Sequence, residues 1–119
     1  SADDICYATQ NRQDAVKQLS LECEIVLVIG SKTSSNSNRL KELAEKCGTK
    51  SFLIDDKSDI NIDELKQAMS LGITAGASAP EEIVQEVISF LYPLGYKTVR
   101  NLSENNESMT FKLPKELAD

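Results

Sequence analysis

Apolar residues follow two rhythms along this chain. Residues 24–29 (Glu24-Ile25-Val26-Leu27-Val28-Ile29) form a short, β-branched, nearly continuous apolar run that stops at Gly30. A run of that length without polar alternation predicts a strand buried on both faces, as in a parallel sheet. Residues 51–54 and 72–75 repeat the signal more weakly. Between these runs the spacing turns helical. Ala15, Val16 and Leu19 share a face within 10–21; Leu40, Leu43, Ala44 and Cys47 do so within 37–47, with Gly48 as a natural stop. That face also assigns Cys47 to the core, as the position of Cys23 between helix and strand assigns Cys23. Asn61 followed by Glu64 makes a capping-box start for a short helix through Leu65 and Met69. Ser78 followed by Glu81, with Pro80 between, opens what should be the longest helix; its stripe of Ile83, Val84, Val87, Ile88 and Leu91 ends at Gly95. Residues 3–6 are expected to end another strand ahead of the first helix.

This alternation of helices and strands predicts an α/β fold, a three-layer domain around a small, mainly parallel sheet with right-handed crossovers. After Gly95 the style changes. Residues 96–102 and 109–113 read as extended segments around the polar stretch Ser103 to Ser108. Met109-Thr110-Phe111-Lys112-Leu113 alternates as a strand does, and Pro114 stops it. We therefore expect an α/β body over residues 1–95 and a C-terminal strand, hairpin or tail over 96–119.

Composition narrows the function classes. The chain has 119 residues, 40% of them apolar and 5% aromatic, enough for one modest core of Val, Ile and Leu. The net charge is −6 with no clustered basic face, which argues against a nucleic-acid partner. A phosphorylated small molecule remains open, because backbone N–H groups hold a phosphate without net positive charge. No apolar stretch approaches the roughly 20 residues of a membrane span, and no signal-peptide pattern is seen. No membrane association is expected; the cytoplasm is the default compartment, with a plastid-type organelle as the alternative. The three cysteines, Cys6, Cys23 and Cys47, include no Cys-x-x-Cys, and there is no histidine. They make neither a disulfide framework nor a self-contained metal site.

Two strand-to-helix loops carry the chemistry. Gly30-Ser31-Lys32-Thr33-Ser34-Ser35-Asn36-Ser37-Asn38 is dense in hydroxyls and amides, and Gly76-Ala77-Ser78-Ala79-Pro80 is the second such loop. Both should emerge at the carboxyl edge of a parallel sheet, where open α/β folds bind ligands. Both precede helices, whose free N–H groups attract anions. For either loop alone, ordinary N-capping is the simpler reading; two such loops on one small sheet shift the balance toward a phosphate site. A dinucleotide site is the competitor, with Asp55 placed as a ribose-binding carboxylate, but the loop after Gly30 lacks the further glycines of G-x-G-x-x-G. Asp55 and Asp56 then read as a solvated turn. Cys6 precedes a helix near an expected strand end, and its residue type alone reads first as a small buried hydrophobe.

Three blocks, Asp4-Ile5-Cys6-Tyr7-Ala8-Thr9 with Asn11-Arg12-Gln13, Gly30 to Leu40, and Gly72 to Pro80, resemble in content, order and spacing the signature segments of the 4-hydroxy-3-methylbut-2-enyl diphosphate reductases. The resemblance runs over about residues 3 to 92. It implies an iron–sulfur oxidoreductase of the non-mevalonate isoprenoid pathway, built from three related α/β domains. Such an enzyme reduces the allylic alcohol diphosphate to isopentenyl and dimethylallyl diphosphates, drawing electrons from a ferredoxin- or flavodoxin-type donor. It implies a four-iron, four-sulfur (4Fe-4S) cluster held by three cysteines, of which Cys6 is the last in chain order. Ser34, Ser35, Asn36 and Ser78 are implied to bind the substrate diphosphate. The other cluster cysteines, the histidines and the proton-relay glutamate of that family belong to two preceding domains, so this chain reads as the third domain alone. By itself it is expected to be catalytically incomplete, to assemble no stable cluster, and to contain no catalytic residue of its own. The alternative is a stand-alone phosphate- or nucleotide-binding α/β module without redox chemistry.

Overall fold

The computed structural model describes the backbone of residues 2–75, 79–97, 99–101 and 109–116, and the side chains of those segments from Arg12 onward except that of Met109. The chain runs α1 (Ala2–Glu22), β1 (Ile25–Ile29), α2 (Ser35–Lys46), β2 (Lys50–Ile54), a 3-10 turn (Lys57–Asp59), α3 (Ile62–Leu65), β3 (Ser70–Ala75), α4 (Glu81–Leu91), a second 3-10 turn (Tyr92–Leu94), β4 (Arg100–Asn101) and β5 (Met109–Pro114). The strands form one sheet in the order β2-β1-β3-β5-β4. β1 is parallel to both β2 and β3, with Ile29 level with Ile54 on one side and Ala75 on the other. β5 runs antiparallel to β3, pairing Ala75 with Met109 and Ser70 with Pro114, and β4 adds a short antiparallel edge. The alternating tail is therefore a member of the main sheet.

Strand β1 is buried at every position because helices cover both faces of it. On one face Val26 and Val28 pack with Val16 and Leu19 of α1 and with Leu40 and Ala44 of α2. On the other, Ile25, Leu27 and Ile29 meet Leu65 of α3 and Val84, Val87 and Leu91 of α4. This is the expected three-layer α/β arrangement. Gly72 lets α1 approach β3; a Cβ there would lie 3.1 Å from the Leu19 side chain.

The punctuation follows local chemistry. Gly48 adopts φ 85°, Thr49 N–H donates to Ala44 O at 3.1 Å, and Gly48 N–H donates to Glu45 O at 3.0 Å. Those bonds are a Schellman closure of α2. Asn61 caps α3, its Oδ1 accepting from Asp63 N–H at 3.1 Å. The tail is tied down through α3: the buried Tyr96 hydroxyl donates toward Leu65 O and Ala68 O at 2.7 and 2.6 Å, and Lys115 Nζ donates to Lys66 O at 2.6 Å.

Three expectations are corrected. Residues 3–6 do not close a strand but belong to α1, which at 21 residues outruns the 11 of α4. No glycine or proline interrupts residues 2–22, and Asp3 and Asp4 fall in the first turn, where the helix dipole favours acids. Cys47 is exposed, because α2 ends at Lys46 and the capping residue leaves the helical stripe. The N-cap of α4 is Pro80, without a side-chain capping bond; Ser78, named from sequence as the start of that helix, lies outside the described residues.

Candidate anion site at the start of helix α2

The loop from Gly30 to Ser34 carries the chain from β1 into α2. Gly30 is required there by space. A Cβ would fall 2.2 Å from Ser37 Oγ and 3.0 Å from Ser37 Cβ, so its absence lets the first turn of α2 seat against the strand end. Ser34 is the N-cap, and its Oγ accepts from Ser37 N–H at 3.3 Å. That bond uses an oxygen lone pair and leaves the hydroxyl proton available to a ligand oxygen.

Ser35 and Asn36 are the first two residues of α2, and both are exposed. Their N–H groups precede any intrahelical acceptor. With no acidic residue in this first turn, the helix dipole acts on an anion unopposed. Arg12, Gln13, Asn36, Arg39 and Leu40 line a small cleft between α1 and α2.

The loop is internally braced. Ser31 Oγ lies 2.8 Å from Thr33 Oγ1 and accepts from Thr33 N–H at 3.2 Å, and Ser34 N–H donates to Ser31 O at 3.0 Å. Asn38 Nδ2 donates to Lys32 O and to Ser34 O, each at 2.9 Å. Lys32 Nζ pairs with Asp59 at 3.4 Å. Asp59 in turn accepts from Asp55 N–H at 2.8 Å, the main cause that holds its carboxyl below the usual range, with Lys32 assisting.

The sheet places this loop at a switch point. β1 leads to α2 on the α1 face, whereas its parallel neighbour β3 leads toward α4 on the opposite face. At such a point the carboxyl ends of the parallel strands are the usual ligand position in open α/β sheets. The start of α4 differs chemically from that of α2, because Glu81 and Glu82 occupy its first turn. They also line a groove of about 610 Å³ with Glu86, an acidic surface unsuited to phosphate.

Of the residues named from sequence, Ser34, Ser35 and Asn36 stand together at the α2 start. Ser78 lies outside the described residues. Cys6 belongs to the α1 backbone, and its side chain is likewise outside them. Cys23 is buried, and burial pushes its thiol up to about 11, keeping it protonated. Among the described residues no three Cys, His, Asp or Glu side chains gather as metal ligands, so those residues do not by themselves provide a cluster's ligand set. Sequence reading passed over the parts played by Ser37 and Asn38. The signal was present in the amide four residues after the cap, but its target, a loop carbonyl at Lys32, is visible only in three dimensions.

Comparison with known proteins identifies the class. The sequence pattern of the LytB protein family matches residues 1–92. The chain is 57% identical over 115 residues to the 4-hydroxy-3-methylbut-2-enyl diphosphate reductase of Saccharophagus degradans, covering 97% of this chain and 37% of that protein. It is 57% identical to the reductase of the same name from Pseudomonas putida, covering 97% of this chain and 36% of that one. The structure of E-1-hydroxy-2-methyl-but-2-enyl-4-diphosphate reductase from Plasmodium falciparum superposes with a TM-score of 0.73 at 27% identity, covering 92% of this chain and 35% of that one. The chain belongs to the LytB protein family. It spans about 37% of the length of the curated relatives it matches.

Proposed function

We propose that this chain is the C-terminal, diphosphate-holding domain of a 4-hydroxy-3-methylbut-2-enyl diphosphate reductase. In that reading residues 1–95 form the α/β body and 96–119 the strand and tail that complete its sheet. The observation that carries it is the α2 start: a capped, acid-free helix N-terminus with Ser34, Ser35 and Asn36 at the switch point of the sheet.

Ser35 and Asn36 N–H groups, the Ser34 hydroxyl proton and the Asn36 amide donate to phosphate oxygens; Ser78 is assigned to the same ligand from the neighbouring loop. The chain's own work is to bind and orient the allylic diphosphate and its products, leaving the reacting hydroxyl end directed away from this helix. Cys6 is this chain's contribution to a 4Fe-4S cluster, and the remaining ligands come from domains outside it. When bound, the cluster supplies the electrons and a Lewis-acidic iron for loss of the hydroxyl. The electrons arrive from a ferredoxin- or flavodoxin-type donor in the cytoplasm or a plastid-type organelle. The 119 residues alone are inactive.

Titration of the chain with pyrophosphate tests the reading. The amide signals of Ser34, Ser35 and Asn36 should shift together, and Asn36→Ala should weaken binding about ten- to a hundredfold, the loss of one charge-assisted hydrogen bond. A response centred on Asp55 instead would turn the assignment toward a nucleotide module. Anaerobic reconstitution with iron and sulfide should give no stoichiometric four-iron cluster on this chain.

A further inference from the structure

We infer that Asn38 is a positioning residue for the anion site: its carboxamide fixes the shape of the Lys32–Ser34 segment so that the α2 start is ordered before a ligand arrives. The inference rests on the diphosphate reading of that helix start, and it concerns a residue that stands one turn inside α2.

The geometry is specific. Asn38 Nδ2 donates both of its hydrogens to main-chain carbonyls of the loop, to Lys32 O and Ser34 O at 2.9 Å each. Both partners are acceptors only, so the nitrogen must face them and the amide orientation is determined. Ser34 O also receives the Asn38 backbone N–H at 3.1 Å, so one residue grips the capping position through main chain and side chain together. The other end of the loop is held by Lys32 on Asp59 and by the Ser31–Thr33 turn, which are exposed contacts that water can replace. Asn38 is the half-buried member of this bracing.

The bond to Lys32 O is exposed and the bond to Ser34 O is half-buried. Removing the carboxamide therefore exchanges two protein hydrogen bonds for water bonds and costs the fold little. The cost falls on the ligand, which must then order the loop itself. This separates positioning from a purely structural role. A structural amide would register in global stability, whereas a positioning amide registers in loop exchange and ligand affinity.

The test uses Asn38→Ala in the 119-residue chain, with pyrophosphate as the probe. Amide hydrogen exchange of Ser34, whose N–H bonds Ser31 O, should accelerate. Pyrophosphate Kd should rise about fivefold to tenfold, with the melting temperature nearly unchanged and the saturated amide shifts the same as in the parent chain. Asn38→Ser, which cannot reach both carbonyls, carries the same expectation and guards against a folding defect peculiar to alanine. Unchanged affinity in both variants, or weakened affinity with no change in loop exchange, overturns the inference. If the parent chain binds pyrophosphate and Asn36→Ala weakens it while the Asn38 variants do not, only the positioning role has failed. If the parent chain shows no pyrophosphate response at the α2 start, the diphosphate reading has failed and the inference falls with it.

Discussion

Replacing Gly30 by alanine isolates the contact that seats α2 against the end of β1. The new Cβ would stand 2.2 Å from Ser37 Oγ and 3.0 Å from Ser37 Cβ. Rotation of the serine hydroxyl relieves the first conflict but not the second, because the Ser37 Cβ is fixed to the helix backbone. Gly30 cannot retreat either, since its N–H donates to Ile54 O at 3.0 Å. Its φ is not positive, so the penalty is steric rather than torsional. Ser37 is only 2% exposed and has no open side to move into. The helix start must therefore shift by a few tenths of an ångström, an overpacking cost of about 1–3 kcal/mol. In a domain of this size that corresponds to a fall in Tm of roughly 4–12 °C.

A double-mutant cycle with Ser37→Gly removes both opposing atoms. Alone, Ser37→Gly costs about 0.5–1 kcal/mol through helix propensity and lost packing. Together with Gly30→Ala it should recover most of the alanine penalty, giving a favourable coupling of about 1–2 kcal/mol. Denaturant unfolding of the four proteins measures the coupling directly. Losses that add to within about 0.5 kcal/mol would refute the reasoning, as would a Gly30→Ala protein as stable as its parent. Because the displaced turn carries Ser35 and Asn36, the single variant should also lose pyrophosphate affinity, and the double variant should regain it.

Tyr96→Phe removes a buried hydroxyl that serves Leu65 O and Ala68 O, and should destabilise the chain by about 1–3 kcal/mol in denaturant unfolding; no loss would mean that the tail is not anchored through α3. Site-resolved thiol labelling followed by mass spectrometry should modify exposed Cys47 well before buried Cys23, whose raised pKa also withholds the thiolate, and the reverse order would contradict the packing of α1 on β3. Asp59→Asn tests linkage. The Asp59 carboxyl is depressed below its usual 3.8 by the Asp55 N–H and by Lys32, so its contribution is present above that pH and lost as pH falls through the lower folded value. The Tm difference between parent and variant should therefore be positive at neutral pH and close in acid; a gap independent of pH would exclude the carboxylate as its source.

Much of the body was legible because local pattern and burial agree. The β1 run is apolar at every position since helices cover both faces of the sheet. Gly48 and Asn61 stop and start helices by chemistry that needs only neighbouring residues. What failed to show locally was set at long range or by an end effect. Met109 to Leu113 alternates like a strand, yet nothing in that alternation names β3 as its antiparallel partner. Cys47 obeys the apolar spacing of α2, but spacing says nothing once the chain leaves the helix one residue earlier. The start of α2 around Ser34 is marked in the sequence because hydroxyls and amides before a helix are typical caps, and Ser34 does cap it. The Gly30–Ser37 contact and the grip of Asn38 are not, because each depends on a close approach of backbone segments.

The two helix starts flanking the switch point are not equivalent, and the difference bears on how a diphosphate would be held. Free N–H groups and dipole are common to both. At α2 they stand beside Ser34, Ser35 and Asn36 with no carboxylate in the first turn. At α4 the first turn carries Glu81 and Glu82, which occupy the favourable end of that dipole and repel a second anion. In the proposed reading a phosphoryl group would be stabilised by the main chain at α2, whereas near α4 it would rely on side-chain donors such as the one proposed at Ser78. Main-chain donors are set by the fold, so under the proposed function α2 would hold substrate and product diphosphates alike.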